Sequence, residues 1–238
     1  MPATLRRPDG TVHGTFIAIH GLGGWKDQPV MRTIADALSD SGYLTVTFDE
    51  ANGANAPDAA RKGSTTTRYL QDVADVVEFV TAQDWYQAPL SLAGHSLGAL
   101  AASEYAAEHP GMLARLVLIA PALHWRSYPH FILFLAAWWL LTNQHRMQGP
   151  NPGGFVLGRA WLIDFHRFNA YKKASRIDVP ALVVIGEHDG LVGTLATHER
   201  YAKLLPKGHL EIVPGTTHEF TRAMPALAAT IKQWLTSS

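Results

Sequence analysis

The chain has 238 residues, 47% of them apolar and 17% charged, a composition that fits one large core and is slightly short for two domains. Its 20 basic and 20 acidic residues cancel, which argues against a nucleic-acid-binding or anionic-membrane surface. The absence of cysteine excludes disulfides, thiolate metal sites and a cysteine nucleophile.

Strand and helix signals alternate along most of the chain. Met1 to Gly10 contains Arg6, Arg7, Pro8 and Asp9 and no apolar core of a signal peptide, so the expected location is cytoplasmic. Pro8-Asp9-Gly10 is a turn signal between Ala3–Arg7 and Thr11–Ile19, which predicts a β-hairpin edge. Thr15 to Ile19 is a β-rich run ending at His20-Gly21, and Met31 to Ser39 has helical spacing that stops before Gly42. Leu44 to Phe48 reads as a strand. Tyr69 to Val80 places Leu70, Val73, Val76, Val77 and Val80 on one helical face. Pro89 to Ala93 is a short strand, followed by Gly94-His95-Ser96-Leu97-Gly98 and an alanine-rich helix from Ala99 to His109, ended by Pro110 and Gly111. Leu116 to Ile119, Ala181 to Ile185 and Leu210 to Val213 supply further strands, with helices predicted at Thr194–Leu204 and Glu219–Leu235. This alternation predicts an α/β fold with a mostly parallel central sheet and helices on both faces.

About sixty residues between Ala120 and Ala181 exceed what a simple crossover needs. They hold eleven consecutive apolar residues, Phe131 to Leu141. A Pro/Gly-rich joint follows (Gly149, Pro150, Pro152, Gly153, Gly154), then an aromatic segment from Phe155 to Tyr171. We read residues 122–174 as an inserted helical cap on a core of residues 1–121 and 175–238. The apolar run is too short to span a bilayer and too apolar all round for an ordinary surface helix. A pocket for acyl or aryl groups, a subunit interface joining copies of the chain through the cap, and membrane-surface contact are its three open uses.

The chemistry centres on Ser96. A serine at a sharp strand-to-helix turn sits in strained backbone, and glycines two residues on either side leave room for the crossing. A serine hydroxyl needs a base, and the base needs an orienting acid. Open α/β sheets gather such groups beyond the carboxyl ends of their strands. Asp189 follows one predicted strand in Gly186-Glu187-His188-Asp189, and His218 follows the next in Pro214-Gly215-Thr216-Thr217-His218. The order Ser96, Asp189, His218 is that of a nucleophile, acid and base on successive strands. Glu187, Asp49 and Glu50 compete with Asp189 for the acid role. The glycines of His20-Gly21-Leu22-Gly23-Gly24 let backbone N–H groups face a ligand, so the oxyanion donors are assigned to Leu22 and Leu97. His20 is expected to brace that loop, His95 to pack beside the nucleophile, and His188 to lie exposed. The twelve histidines show no metal-ligand spacing with carboxylates, so no metal is expected.

The pieces His20-Gly21-Leu22-Gly23-Gly24, Gly94-His95-Ser96-Leu97-Gly98, Gly186 with Asp189, and Gly215 with His218 resemble the α/β-hydrolase superfamily. The likeness is greatest to its esterase, monoacylglycerol-lipase and serine-aminopeptidase-like branch. The resemblance implies an eight-stranded core and a serine hydrolase acting on a small carboxylic ester with an apolar acyl or aryl group, without an organic cofactor. Peptidase or amidase activity, acyl transfer, and a non-catalytic ligand-binding protein that keeps the fold are the alternatives. One departure stands out: relatives often carry a Gly-His-Gly-x-Ser-like turn after the second strand, where this chain has Asn52-Gly53-Ala54-Asn55-Ala56-Pro57.

Overall fold

The structure is a computed structural model and describes residues 1–53, 64–128, 137, 141, 146–147, 155–156 and 159–237. The predicted apolar run, Ala137 and Leu141 apart, and the Pro/Gly-rich joint lie outside the described residues, as do positions 54–57 of the departing turn.

Seven strands form one sheet: β1 (Ala3–Arg6), β2 (Gly14–Ile19), β3 (Tyr43–Phe48), β4 (Leu90–His95), β5 (Leu116–Ile119), β8 (Ala181–Gly186) and β9 (Gly208–Val213). Their order is β1-β3-β2-β4-β5-β8-β9, and every pairing is parallel except β1 with β3. β6 (Arg146–Met147) and β7 (Phe155–Val156) form a separate antiparallel pair. The resemblance implied eight strands; the main sheet has seven among the described residues.

The helices are α1 (Pro29–Asp40), α2 (Thr66–Thr81), α3 (Leu97–Glu108), α4 (Arg159–Phe165), α5 (Ala170–Lys173), α6 (Leu195–Leu204) and α7 (Met224–Ser237). α1 packs on α7, whereas α2 packs on α3, and α5 touches both α3 and α6. With both faces covered, the central strands are continuous apolar runs. Every residue of β2, β4, β5 and β8 is buried, and Leu116 to Ile119 have no exposed surface at all.

Two expectations are corrected. Ala3–Arg6 does not form a hairpin with the strand that follows it; β1 runs antiparallel to β3, pairing Ala3 with Phe48 and Arg6 with Thr45. The reason is edge occupancy. Both hydrogen-bonding edges of β2 are taken by β3 and β4, so β1 cannot pair with β2 and lies instead on the far side of β3. The last helix begins at Met224 rather than Glu219. Phe220 sits at φ 54°, and bonds from Phe220 N–H to Thr217 O and from Ala223 N–H to Phe220 O make turns there. Pro225 then falls in the first helical turn, where its missing N–H costs nothing.

Candidate active site

The turn between β4 and α3 is built around Ser96. Its backbone lies at φ 55°, ψ −116°, a region that non-glycine residues adopt only when their surroundings impose it. Those surroundings are specific. Ser96 N–H donates to Ile119 O at 2.8 Å, and Ser96 O accepts from Ala122, Ala99 and Leu100. A Cβ on Gly94 would stand 2.3 Å from Gly98 O, and one on Gly98 would stand 2.2 Å from Ile19 O. Glycine at both positions is therefore what lets the chain turn under Ser96. Among the described residues, the other non-glycine positions with positive φ are Ala120 and Phe220. Ser96 and Ala120 directly follow strand ends and Phe220 follows the His218 loop, so the strain collects beyond the carboxyl ends of the strands.

His218 and Asp189 are paired as expected. The imidazole Nδ1 lies 2.8 Å from Asp189 Oδ2, with the Asp189 side chain fully buried. The other carboxylate oxygen of Asp189, Oδ1, accepts the Leu191 N–H at 2.9 Å and the Val192 N–H at 3.5 Å. Burial pushes this carboxyl up, but the bond and charge of His218 and the two backbone donors outweigh it, and the net shift is downward. The loops that carry the two residues are stitched together: Glu187 N–H reaches Val213 O at 2.9 Å, and His188 N–H reaches Thr216 O at 2.8 Å.

Glu187 does not share this place. Its Oε2 accepts the Gly215 N–H at 2.8 Å on the surface. His188 is exposed, as expected. Asp49 accepts the Lys26 N–H through Oδ1 at 2.7 Å, and Glu50 lies buried beside Asp49 and Asp72.

His95 connects the Ser96 turn to His218. Its Nε2 meets His218 O at 3.1 Å, and the two rings lie 4.9 Å apart. Burial and the neighbouring His218 bring the His95 pKa down to about 3, so it is a neutral donor that pins the base loop beside Ser96. His95, His218 and Glu219 bring ligand-type atoms within 4.8 Å of one another, but Nδ1 of His218 and Nε2 of His95 are already engaged. We read the cluster as the base and its neighbours.

His20 braces the loop at the end of β2. Its Nδ1 donates to Gly21 O at 2.8 Å, and its Nε2 accepts the Glu50 N–H at 3.4 Å. That pattern defines a neutral tautomer, and burial holds its pKa down. The Tyr69 hydroxyl donates to His20 O at 2.5 Å, and Gly24 N–H closes a turn onto Gly21 O. A Cβ on Gly21 would stand 3.0 Å from the Ser96 Cβ. The loop carrying Leu22 therefore lies directly against Ser96, and Leu97 opens α3, where the first N–H groups have no helical acceptor.

Sequence reasoning expected helix in this part of the chain but missed what α4 touches. Asp164 accepts both the N–H and the hydroxyl of Thr67, at 2.7 and 2.8 Å, which ties α4 to the start of α2. Trp161 stacks on Phe165 at 5.0 Å, and Phe165 meets Tyr128 edge-on at 5.7 Å. Burial, with the charge of Asp189, raises the Tyr128 pKa. The Trp161 Nε1–H is buried without a hydrogen-bond partner. Only the aromatic content of Phe155–Tyr171 signalled this in the sequence.

Strand order, helix placement and the strained serine turn define an α/β-hydrolase fold. The sequence matches the serine aminopeptidase (S33) family over residues 10–157, and the chain belongs to that family. Among solved structures it is similar to Est1E from Butyrivibrio proteoclasticus bound to ferulic acid, with TM-score 0.81 and 18% identity, covering 99% of this chain and 94% of that one. The monoglyceride lipase of Saccharomyces cerevisiae, in complex with a substrate analogue, has TM-score 0.77 and 20% identity, covering 98% and 90%. The Paleococcus ferrophilus monoacylglycerol lipase has TM-score 0.71 and 20% identity, covering 100% and 99%. No curated protein matches the chain by sequence. Among the described residues, no helix is long and apolar enough to cross a membrane.

Proposed function

We propose that the chain is a serine hydrolase that cleaves small carboxylic esters through an acyl-enzyme on Ser96. The observation that carries this reading is the 2.8 Å His218–Asp189 pair, held by His95 beside a serine in strained backbone. Asp189 engages Nδ1, so Nε2 is the ring atom free to take the Ser96 proton. The alkoxide oxygen attacks the ester carbonyl, and the backbone N–H groups of Leu22 and Leu97 hold the oxyanion. His218 then gives the proton to the leaving alcohol. Water, deprotonated by the same nitrogen, releases the acid. Asp189 fixes the tautomer and stabilises the imidazolium.

The acyl side of the site is apolar or aromatic in this reading. Trp161, Phe165 and Tyr128 make an aromatic stack that reaches the neighbourhood of Asp189. Residues 122–174 act as a cap, of which α4 is the returning limb. The family description favours a second reading, aminopeptidase activity on the same three residues.

Ser96→Ala keeps the fold and loses ester turnover by about four to six orders of magnitude, together with labelling by a fluorophosphonate. A tenth or more of wild-type turnover in that variant removes Ser96 from the role. A wild-type protein that the probe never labels is a binding protein. Hydrolysis of aminoacyl amides in preference to p-nitrophenyl esters of two to twelve carbons replaces the esterase reading with the peptidase one.

A further inference from the structure

A cavity lined by none of Ser96, Asp189 and His218 lies where the chain leaves the core after Leu123 and returns to it at Asn169. It is an open groove of about 670 Å³ between the short helical turn at Trp125–Ser127, α5 and α6, a size suited to a small ligand. His124, Arg126, Lys172 and Arg200 line it, and among the described residues no aspartate or glutamate lines it. In a chain whose acidic and basic residues are equal in number, three cations and a histidine facing one groove form a local excess of positive charge. None of the three cations has an ion-pair partner among the described residues.

The groove is also organised. The Arg126 guanidinium stands over the Trp125 ring at 5.1 Å and that of Arg200 over Tyr171 at 5.4 Å. Each is steadied by a ring face while its N–H edge stays available. The Tyr171 hydroxyl donates to Thr197 O at 3.0 Å, which fixes α5 to α6. His124 pairs with Asn169 across a β-bridge, and its Nδ1 accepts the Arg126 N–H at 3.3 Å. Burial, then the charges of Arg126, His166 and Lys172, lowers the His124 pKa. The positive field is therefore felt inside the groove.

We propose that this groove binds a small phosphate monoester, its phosphate held by Arg126, Lys172 and Arg200 and its apolar part laid on Tyr171. A dianion matches three cations better than a single carboxylate does, and guanidinium forks suit phosphate oxygens. The site is separate from the proposed hydrolytic centre and does not depend on it.

The test uses full-length Ser96→Ala protein, so that no turnover contributes. Phenyl phosphate, inorganic phosphate and benzoate are titrated by calorimetry. In parallel, the His124 imidazole is followed by NMR, its signal assigned through His124→Gln. The expected result is saturable one-site binding of phenyl phosphate, with inorganic phosphate and benzoate weaker. The His124 midpoint rises as the ligand binds, and affinity falls about tenfold or more in both Arg126→Gln and Arg200→Gln. Both arginines are exposed, and near-UV circular dichroism confirms that the variants are folded. Absence of saturable binding overturns the proposal. So does unchanged affinity in either variant, or benzoate binding as tightly as phenyl phosphate.

Discussion

At the residue scale the decisive question is which carboxylate serves His218. Glu187 and Asp189 are two positions apart at the same strand end, and sequence spacing alone leaves both eligible. The structure separates them by direction: Asp189 points inward to the imidazole and Glu187 outward to the Gly215 N–H. Asp189→Asn therefore keeps the fold and lowers ester turnover by about four orders of magnitude, since the amide favours the wrong imidazole tautomer. Glu187→Gln leaves turnover within a factor of about two, as a surface change away from the reacting atoms. The reverse ranking in kcat/KM would reassign the acid. The histidines illustrate what a sequence can and cannot show. The roles of His20 as brace and His95 as neighbour follow from their places in the motifs. Their neutral state depends on burial, which becomes known only once the loops are packed.

At the element scale the apolar runs were the legible part. β2, β3, β4, β5 and β8 lie where β-rich stretches and turn signals put them, because strands buried on both faces have few alternatives; β9, at the sheet edge and largely exposed, was marked by its apolar Leu210–Val213 end. The pairing of β1 was not legible, since a hairpin signal reports a local turn and not which sheet edges are already occupied. The start of α7 was obscured for a related reason: Glu219 to Ala223 have helical residue types but serve the His218 loop. The contacts of α4 depend on Thr67, far away in sequence. Ser96's turn, by contrast, was readable from two glycines, and it yields a sharp expectation. A methyl on Gly98 would meet the Ile19 and His20 carbonyl oxygens at 2.2 and 2.3 Å, and both belong to the main chain of β2 and its loop. Gly98→Ala should destabilise the protein by about 1–3 kcal/mol or more and displace the loop that carries Leu22. Urea unfolding reads the first effect, and ester turnover lost beyond the unfolded fraction reads the second. A variant with wild-type stability and rate would show that the crossing tolerates a wider separation.

At the scale of the whole molecule, the end of the sheet that gathers the proposed catalytic groups also gathers buried acid. In the sequence Glu50 is one of the carboxylates competing with Asp189 for the acid role; in the structure it lies buried just past the end of β3. Burial, then the charges of Asp72 and Asp49, raises its pKa from 4.5 to about 8. A carboxyl whose folded pKa is raised binds its proton more tightly in the native state than in the unfolded chain. Stability is therefore highest below about 4.5 for this group and declines as pH climbs to about 8, by on the order of a few kcal/mol across the window. His20 and His95 pull in the opposite sense. Their folded pKa values lie below 6.5, so they are neutral in both states above that pH and weaken the fold only as pH falls beneath it. Asp189, with its lowered carboxyl, likewise contributes stability above 3.8 that disappears only in acid. Over the interval from about 6.5 to about 8 Glu50 makes the largest change, and the raised carboxyls of Asp72, Glu104 and Glu219 act in the same sense. Over it, the free energy of unfolding from urea titrations should fall with rising pH in the wild type. In Glu50→Gln, which has no proton to lose at that position, the curve should be clearly flatter over that interval and lie above the wild type at pH 8. Parallel slopes in the two proteins would mean that Glu50 is already ionised in the folded chain.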